Sequence, residues 1–259
     1  MISQNRKYAI AIILVTIMLL VSCFLFFRKT EINPVTGKKQ HITLTVQQEI
    51  TLGLQCAPDM AAKYGGLDAD IEIQNKVKNI GQKLVAVKQV SKSPFQFDFH
   101  VLSDSQIVNS LSLPGGQVFI TKGLFKLLKT ESEIAAVLSH EIGHVIGRHS
   151  AEKLAGFNIL REFSDSTDTS RELNSNQIPE YLSDLLKITF NANEESEADE
   201  LALKYLIGAG YKANILPETL EQLYKKQEEL NVSDFLDRHP VTESRIENLK
   251  SVVRKLSKN

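Results

Sequence analysis

The sequence is poor in cysteine and carries almost no net charge. Its 259 residues include two cysteines, Cys23 and Cys56, which excludes the dense disulfide framework of small secreted domains. The formal net charge of -1 gives no support to nucleic-acid binding, which calls for a basic patch or stripe. The sequence has no internal repeat, and its length allows one good-sized domain and an anchor rather than two full domains.

The N-terminus holds a long apolar run. Arg6 and Lys7 precede apolar residues 8–21, an order typical of a secretory signal. The run ends in LVSC, which resembles the bacterial lipoprotein cleavage box, whose cysteine (here Cys23) becomes lipidated and forms the new N-terminus. Apolar residues 24–27 extend it to about 20 residues, enough for an uncleaved spanning helix. The pattern favours a lipoprotein over a spanning anchor, with a buried helix as the third alternative.

These features divide the chain into three parts. Residues 1–29 are predicted to be a lipoprotein signal peptide or membrane anchor, and 30–44, with Pro, Gly and Lys, an extended tether. For residues 45–259, apolar periodicity predicts a mainly helical α+β domain with a small sheet. Helices are predicted over 45–65, 68–90, 124–128, 181–190, 194–207 and 217–230. Two further helices are predicted to begin after residue 130 and after Pro240. Strands are predicted over 95–101, 107–113 and 117–121. The polar stretch 162–180 is predicted to be a mobile loop or lid.

An HExxH motif lies on one of these helices. His140 and His144 stand one turn apart on the same face, so both imidazoles can bind one metal ion. Glu141 lies beside them and can act as general base on a metal-bound water. The surrounding residues are apolar, which predicts a buried helix whose polar side chains need partners. The motif therefore predicts a zinc site.

A peptidase zinc needs a third protein ligand. The metzincin pattern HExxHxxGxxH is excluded, because Ser150 stands at the position of the third histidine and His149 falls one residue early. A carboxylate from a second helix is the alternative, and EESEAD at 194–199 offers three glutamates.

The two motifs together resemble a known family. HEIGHVIGRH followed by ESEAD resembles the gluzincins of the Ste-type CAAX prenyl proteases, in particular bacterial envelope lipoproteins of the BepA and LoiP kind and the mitochondrial Oma-type protease. The resemblance implies that Glu195 is the third ligand of one Zn²⁺ per chain. It also implies that Asp199, on the same helix face, orients a ligand. The remaining glutamates of this helix, Glu194, Glu197 and Glu200, are interpreted as a solvated acidic face.

The resemblance extends to two segments that precede the motifs in the sequence. NPVTG at 33–37 resembles the segment that follows the lipidated cysteine, and NSLSLPGG at 109–116 resembles the N-A-F-x-x-PGG strand region. The departures are Ser110 and Leu111, where Ala and Phe are usual. Strand 117–121 is either an edge strand that pairs with extended substrate or an ordinary internal strand.

A third element, HPVTESR at 239–245, resembles the HPxxxxR segment of the family. The resemblance implies that His239 can cap the zinc in a latent state, and that Arg245 lies near the reacting centre, where it could stabilise the oxyanion. The alternatives are a surface turn and a surface arginine. The sequence gives no comparable partner for His41, His100 and His149, which are interpreted as structural or surface residues.

We therefore expect a zinc-dependent endopeptidase of the bacterial cell envelope that hydrolyses unfolded or misassembled proteins. Its expected partners are polypeptide substrates and a membrane, with no nucleic acid. The expected location is the periplasmic side of the outer membrane. Prenyl-protease activity is not expected, because those relatives have several membrane spans. The alternatives are a non-catalytic, zinc-stabilised assembly factor and a non-peptidase metal hydrolase, which would need a pocket closed to extended chains.

Overall fold

The computed structural model describes residues 4–28, 30–155, 177–227 and 233–256. Its elements are mostly helical with two small sheets, which confirms the predicted α+β class. In chain order they are α1 (Gln4–Arg28), β1 (Thr30–Ile32), β2 (Lys39–His41), α2 (Val46–Lys63), α3 (Ile71–Val85), α4 (Lys88–Ser91), β3 (Asp98–Leu102), β4 (Ser110–Ser112), a 3₁₀ turn (Pro114–Gly116), β5 (Gln117–Thr121), α5 (Lys122–Leu127), α6 (Glu131–Ile146), α7 (His149–Leu154), α8 (Ile178–Leu186), α9 (Ala192–Gly208), α10 (Ile215–Lys225), α11 (Ser233–Arg238) and α12 (Glu243–Leu256).

Capping boxes fix the beginnings of the longer helices. Thr45 with Gln48 opens α2 and Thr130 with Glu133 opens α6, at the helix starts that the sequence predicted. The predicted helix over 68–90 is divided into α3 and α4. Most of the stretch predicted to be a lid, 162–180, lies outside the described residues.

Helix α1 exposes the apolar side chains of its middle part, among them Leu14, Met18 and Leu20. Among the described residues, no helix reaches the combined length and apolar content of a membrane span. The anchor over 1–29 stays a prediction.

Residues 30–44, expected to be an extended tether, instead contain an antiparallel hairpin of β1 and β2. The hairpin caps the C-terminal end of α6. The side-chain amide of Asn33 donates to the Ile146 carbonyl (2.8 Å) and that of Gln40 to the Gly147 carbonyl (2.6 Å). Because the last carbonyls of a helix have no partner within it, these bonds join the segment to the motif helix.

The three-stranded sheet has the order β3-β5-β4, with β5 parallel to β3 and antiparallel to β4. All five residues of β5 are buried, because helices cover both faces of the sheet. Of the two alternatives for Gln117–Thr121, the edge strand is therefore wrong and the ordinary internal strand is confirmed, since the strand is paired on both sides. Among the described residues, β4 has no strand on its other side and is an edge next to α6.

Close packing of α6 against α9 assembles the site. A Cβ atom at Gly143 would lie 2.6 Å from the Ala198 carbonyl oxygen, so only glycine permits this approach. The contact brings Glu195 and Asp199 of α9 beside His140 of α6.

Candidate metal centre

Four side chains converge in the buried space between α6, α9 and the end of α11. The ligand atoms of His140, His144, Glu195 and His239 all lie within 4.8 Å of one another, and each of the four residues is buried. The two histidine Nε2 atoms are 2.9 Å apart. The Glu195 carboxylate lies 3.4 Å from Nε2 of His140 and 3.3 Å from Nε2 of His144. The structure thus brings together the three predicted ligands.

The spacing of these atoms fits a tetrahedral zinc ion. Zinc bonds of about 2.0–2.1 Å separate neighbouring ligand atoms by roughly 3.3 Å, close to the observed distances. The electrostatic potential of the site also favours a cation. Burial lowers the pKa of His140, but the carboxylates of Glu195 and Asp199 outweigh burial and raise this pKa to about 9. For His144, burial and the neighbouring His140 hold the pKa well below its usual value, which favours the neutral form of the ring that a metal requires.

Asp199 and Arg245 support the ligands from behind. Asp199 Oδ1 lies 2.9 Å from Nδ1 of His140, an arrangement that leaves Nε2 free for a metal. Arg245 donates to both oxygens of Asp199 (2.7 and 2.8 Å), to the Pro240 carbonyl (3.0 Å) and to Glu195. Most of its N–H groups are therefore occupied. Arg245 is interpreted as a positioning residue, and a direct role at the oxyanion stays a prediction without a contact to support it.

The carboxylate of Glu141 is fully buried and accepts hydrogen bonds from two serine hydroxyl groups. Ser110 donates to Oε1 (2.6 Å) and Ser112 to Oε2 (2.9 Å), both from edge strand β4. Nε2 of His239 lies 3.2 Å from Oε1. Burial raises the pKa of Glu141, but the three imidazoles, His239 first, outweigh it and hold the pKa well below its ordinary value. The group is therefore ionised, which is the form that a general base requires.

His149 has a role that the sequence did not reveal. Arg148 adopts a left-handed conformation (φ 57°, ψ 28°) that reverses the chain between α6 and α7. His149 Nδ1 thereby lies 2.8 Å from His144 Nδ1, and its Nε2 lies 3.3 Å from a Glu197 oxygen. The interpretation of His149 as a residue without comparable partners is wrong. Glu197 also pairs with Lys38 (2.9 Å) and is not a purely solvated residue.

These contacts predict that His149→Leu weakens zinc binding. If His144 binds the metal through Nε2, its Nδ1 would carry the proton and donate a hydrogen bond to Nδ1 of His149, which would fix the orientation of the ring. Loss of such a partner typically lowers metal affinity 10- to 100-fold. Competition with a chromogenic zinc chelator would measure the change. His100→Gln, a histidine on β3 that contacts Gln117, is the control; equal affinities in both variants would contradict the positioning role.

Comparison with known proteins identifies the family. Residues 72–253 match Peptidase family M48. The chain belongs to this family. Mitochondrial metalloendopeptidase OMA1 of Schizosaccharomyces pombe is 25% identical over 229 residues, which cover 87% of this chain and 67% of the relative. The beta-barrel assembly-enhancing protease of Yersinia pestis is 27% identical over 232 residues, 85% of this chain and 47% of the relative.

A protein of the same printed name in Escherichia coli is 24% identical over 257 residues, 95% of this chain and 52% of the relative. The M48 chain thus spans only about half the length of the bacterial relatives that it matches. The resemblance to Oma-type and envelope metallopeptidases is confirmed, and family membership makes this chain a metallopeptidase.

Proposed function

We propose that this chain is a zinc endopeptidase that cuts unfolded or misassembled polypeptides at the bacterial cell envelope. The observation that carries the proposal is the convergence of His140, His144 and Glu195 at metal-ligand spacing, with the Glu141 carboxylate beside them. Three metal ligands with a carboxylate beside them, in a chain of a peptidase family, support hydrolysis of an amide bond.

The roles of the side chains follow from their contacts. When bound, zinc supplies a Lewis acid for the scissile carbonyl and lowers the pKa of a water molecule to about 7. Glu141, held by the hydroxyl groups of Ser110 and Ser112, accepts the proton of the attacking water and passes it to the leaving amine. Asp199 orients His140, and Arg245 holds Asp199 and Glu195 in place.

Edge strand β4 supports an extended substrate. Among the described residues no strand pairs with its outer side, its three residues are buried, and the side chains of Ser110 and Ser112 contact the proposed base. A polypeptide paired with β4 would therefore lie with its backbone next to Glu141. Folded domains offer few extended segments whose backbone groups are unpaired. This mode of binding therefore favours unfolded or misassembled chains.

The envelope location and the anchor rest on the N-terminus and on two relatives. The charged-then-apolar order of residues 1–29 and the LVSC sequence at Cys23 support a lipid anchor, with a spanning helix as the alternative. The Yersinia and Escherichia relatives are named for beta-barrel assembly, which supports an outer-membrane protein facing the periplasm.

A second candidate function rests on His239. Its Nδ1 lies 3.2 Å from His140 Nε2 and 3.1 Å from Glu195 Oε1, so it can complete a four-ligand set. A closed tetrahedral site is typical of structural zinc. The geometry thus also suits a latent enzyme or a zinc-stabilised assembly factor.

Metal removal tests the proposal. The full chain with zinc is incubated with a chemically unfolded protein and with its native form, and fragments are identified by mass spectrometry. We expect cleavage of the unfolded form only, loss of cleavage after chelation, and recovery when Zn²⁺ is added back. His239→Ala, assayed in parallel, should increase cleavage if the resting enzyme is latent. No cleavage by either protein, with zinc bound, would favour the assembly factor.

A further inference from the structure

The N-terminal strap, residues 30–44, holds the turn between α6 and α7. Its two side-chain amides bind the main-chain carbonyls of the two residues that precede Arg148. Arg148, the next residue, is only 2% exposed and reaches the strap as well. Its Nη2 donates to the Leu44 carbonyl (2.8 Å) and its Nη1 to the Glu31 carboxylate (2.9 Å). Three consecutive residues at the end of the motif helix are therefore bound to the strap.

The conformation of Arg148 depends on these contacts. Its backbone lies in the left-handed region (φ 57°, ψ 28°), which is unfavourable for a residue that has a Cβ atom. Its Nε donates to Glu49 of α2 (2.7 Å), a carboxylate that is also buried. A residue in such a conformation keeps it only where the surrounding contacts over-determine it. Loss of the strap would remove two of the three partners of the guanidinium, and the turn would be free to relax.

This turn decides where α7 begins, and with it the position of His149. Nδ1 of His149, the first residue of α7, lies 2.8 Å from Nδ1 of the proposed zinc ligand His144. The strap also binds α7 itself. Glu152, about one turn further along α7, accepts hydrogen bonds from the Gln40 side-chain amide (3.0 Å) and from the backbone N–H of His41 (3.2 Å). A shift of the strap would therefore move His149 relative to the ligand.

A second contact of the strap reaches His149 from its other ring nitrogen. Nε2 of His149 lies 3.3 Å from Oε2 of Glu197, and Nζ of Lys38 lies 2.9 Å from the same oxygen. A carboxylate behind an imidazole fixes the orientation of the ring, and a cation beside that carboxylate holds the carboxylate in turn. The ring of His149 is thus held between the zinc ligand and a pair of charges, one of which the strap supplies.

We propose that the strap positions His144 through His149 and thereby sets the affinity of the site for zinc. None of its residues is among the four convergent ligand residues, so it acts on the metal only through the turn and the histidine pair. The inference rests on the zinc site of the proposed function, but not on cleavage of a peptide bond. Its consequence is control of the enzyme from outside the active site. A molecule whose strap is cut or displaced would bind zinc more weakly and lose its activity with the metal.

The zinc affinity of the folded full chain, measured by competition with a chromogenic chelator, tests the strap. Gln40→Leu removes an amide with two acceptors at the α6–α7 turn. Gln74→Leu is the matched control, because the Gln74 amide also has two acceptors, the carbonyls of Asp68 (3.0 Å) and Val101 (2.8 Å). We expect the zinc Kd to rise about 10- to 100-fold in Gln40→Leu, the usual effect of lost support behind a ligand, and to stay within about 2-fold in Gln74→Leu.

Two further comparisons test the route. In a His149→Leu background, Gln40→Leu should add little to the loss of affinity, because both changes act on one contact. Lys38→Met removes an exposed charge, leaves the core intact, and should raise the Kd about 2- to 5-fold. Lys78→Met, which removes an exposed partner of Asp98 (2.8 Å), is its control and should leave the Kd unchanged.

Equal Kd values for Gln40→Leu and Gln74→Leu, or for Lys38→Met and Lys78→Met, would overturn the proposal. Additive losses when Gln40→Leu is combined with His149→Leu would overturn it as well. If Gln40→Leu does not fold, the two lysine variants decide alone. An unaltered chain that binds zinc but cleaves no polypeptide would overturn the peptidase function, while the differences in Kd would still support the strap.

Discussion

Glu141→Gln is expected to lower kcat/KM for peptide hydrolysis by roughly 10²- to 10⁴-fold, the usual contribution of a general base. The amide has nearly the same volume and can still accept a hydrogen bond from the Ser110 hydroxyl, but it cannot take a proton from water. Peptide cleavage by the zinc-loaded variant measures the effect. Zinc content should stay at one ion per chain, because Glu141 is not among the four convergent ligand residues.

Glu200→Gln is the matched control, since it removes the same charge from an exposed position on α9. Its activity should equal that of the unaltered chain. A Glu141→Gln protein that cleaves peptides at a normal rate would contradict the role of the base. If cleavage is lost while the cellular function persists, the assembly-factor interpretation gains support instead.

Arg245→Met is expected to destabilise the zinc-free protein by about 3–5 kcal/mol, as for a buried ion pair that loses one partner. The substitution leaves the carboxylates of Asp199 and Glu195 without the cation that holds them. Burial lowers the pKa of Arg245, but Asp199 outweighs this and raises it, so the guanidinium stays charged. Urea unfolding of the zinc-free protein would measure the loss, and zinc titration would show a weaker site.

Arg254→Met provides the comparison on the same helix. Arg254 is exposed and lies 3.9 Å from Glu247, so its removal should cost less than about 1 kcal/mol. The double variant Asp199→Asn with Arg245→Met should recover part of the lost stability, because it removes one unpaired carboxylate. Equal unfolding free energies for Arg245→Met and Arg254→Met would contradict the positioning role.

Local sequence patterns predicted much of the fold. The capping boxes at Thr45 and Thr130 mark where α2 and α6 begin, because the side-chain and backbone partners lie within four residues. The helical spacing of His140 and His144 likewise brings both rings to one ion without any knowledge of the tertiary structure. The choice of Glu195 among three glutamates, in contrast, depended on the resemblance to a family.

The features that sequence patterns did not reveal depend on distant contacts. The order of the sheet is decided by which strands pair, so the short apolar run within 117–121 could not tell a central strand from an edge. The contact of His149 with His144 depends on the left-handed turn at Arg148, which no helical period indicates. Ser110 and Ser112 alternate as strand neighbours do, but only the packing of β4 on α6 shows that both face Glu141.

With a lipid anchor at Cys23, the hairpin bonded to the end of α6 would also limit how far the enzyme can reach. Only residue 29 separates α1 from β1, and six residues lie between Cys23 and Thr30 in the sequence. Even a fully extended chain from a lipid on Cys23 would span only roughly 25 Å before the hairpin begins. Because Asn33 and Gln40 fasten that hairpin to the helix with the zinc ligands, an anchored molecule would work at a nearly constant height above its membrane. Polypeptides that emerge at the bilayer surface would meet it there, whereas those deep in the surrounding compartment would have to diffuse to it.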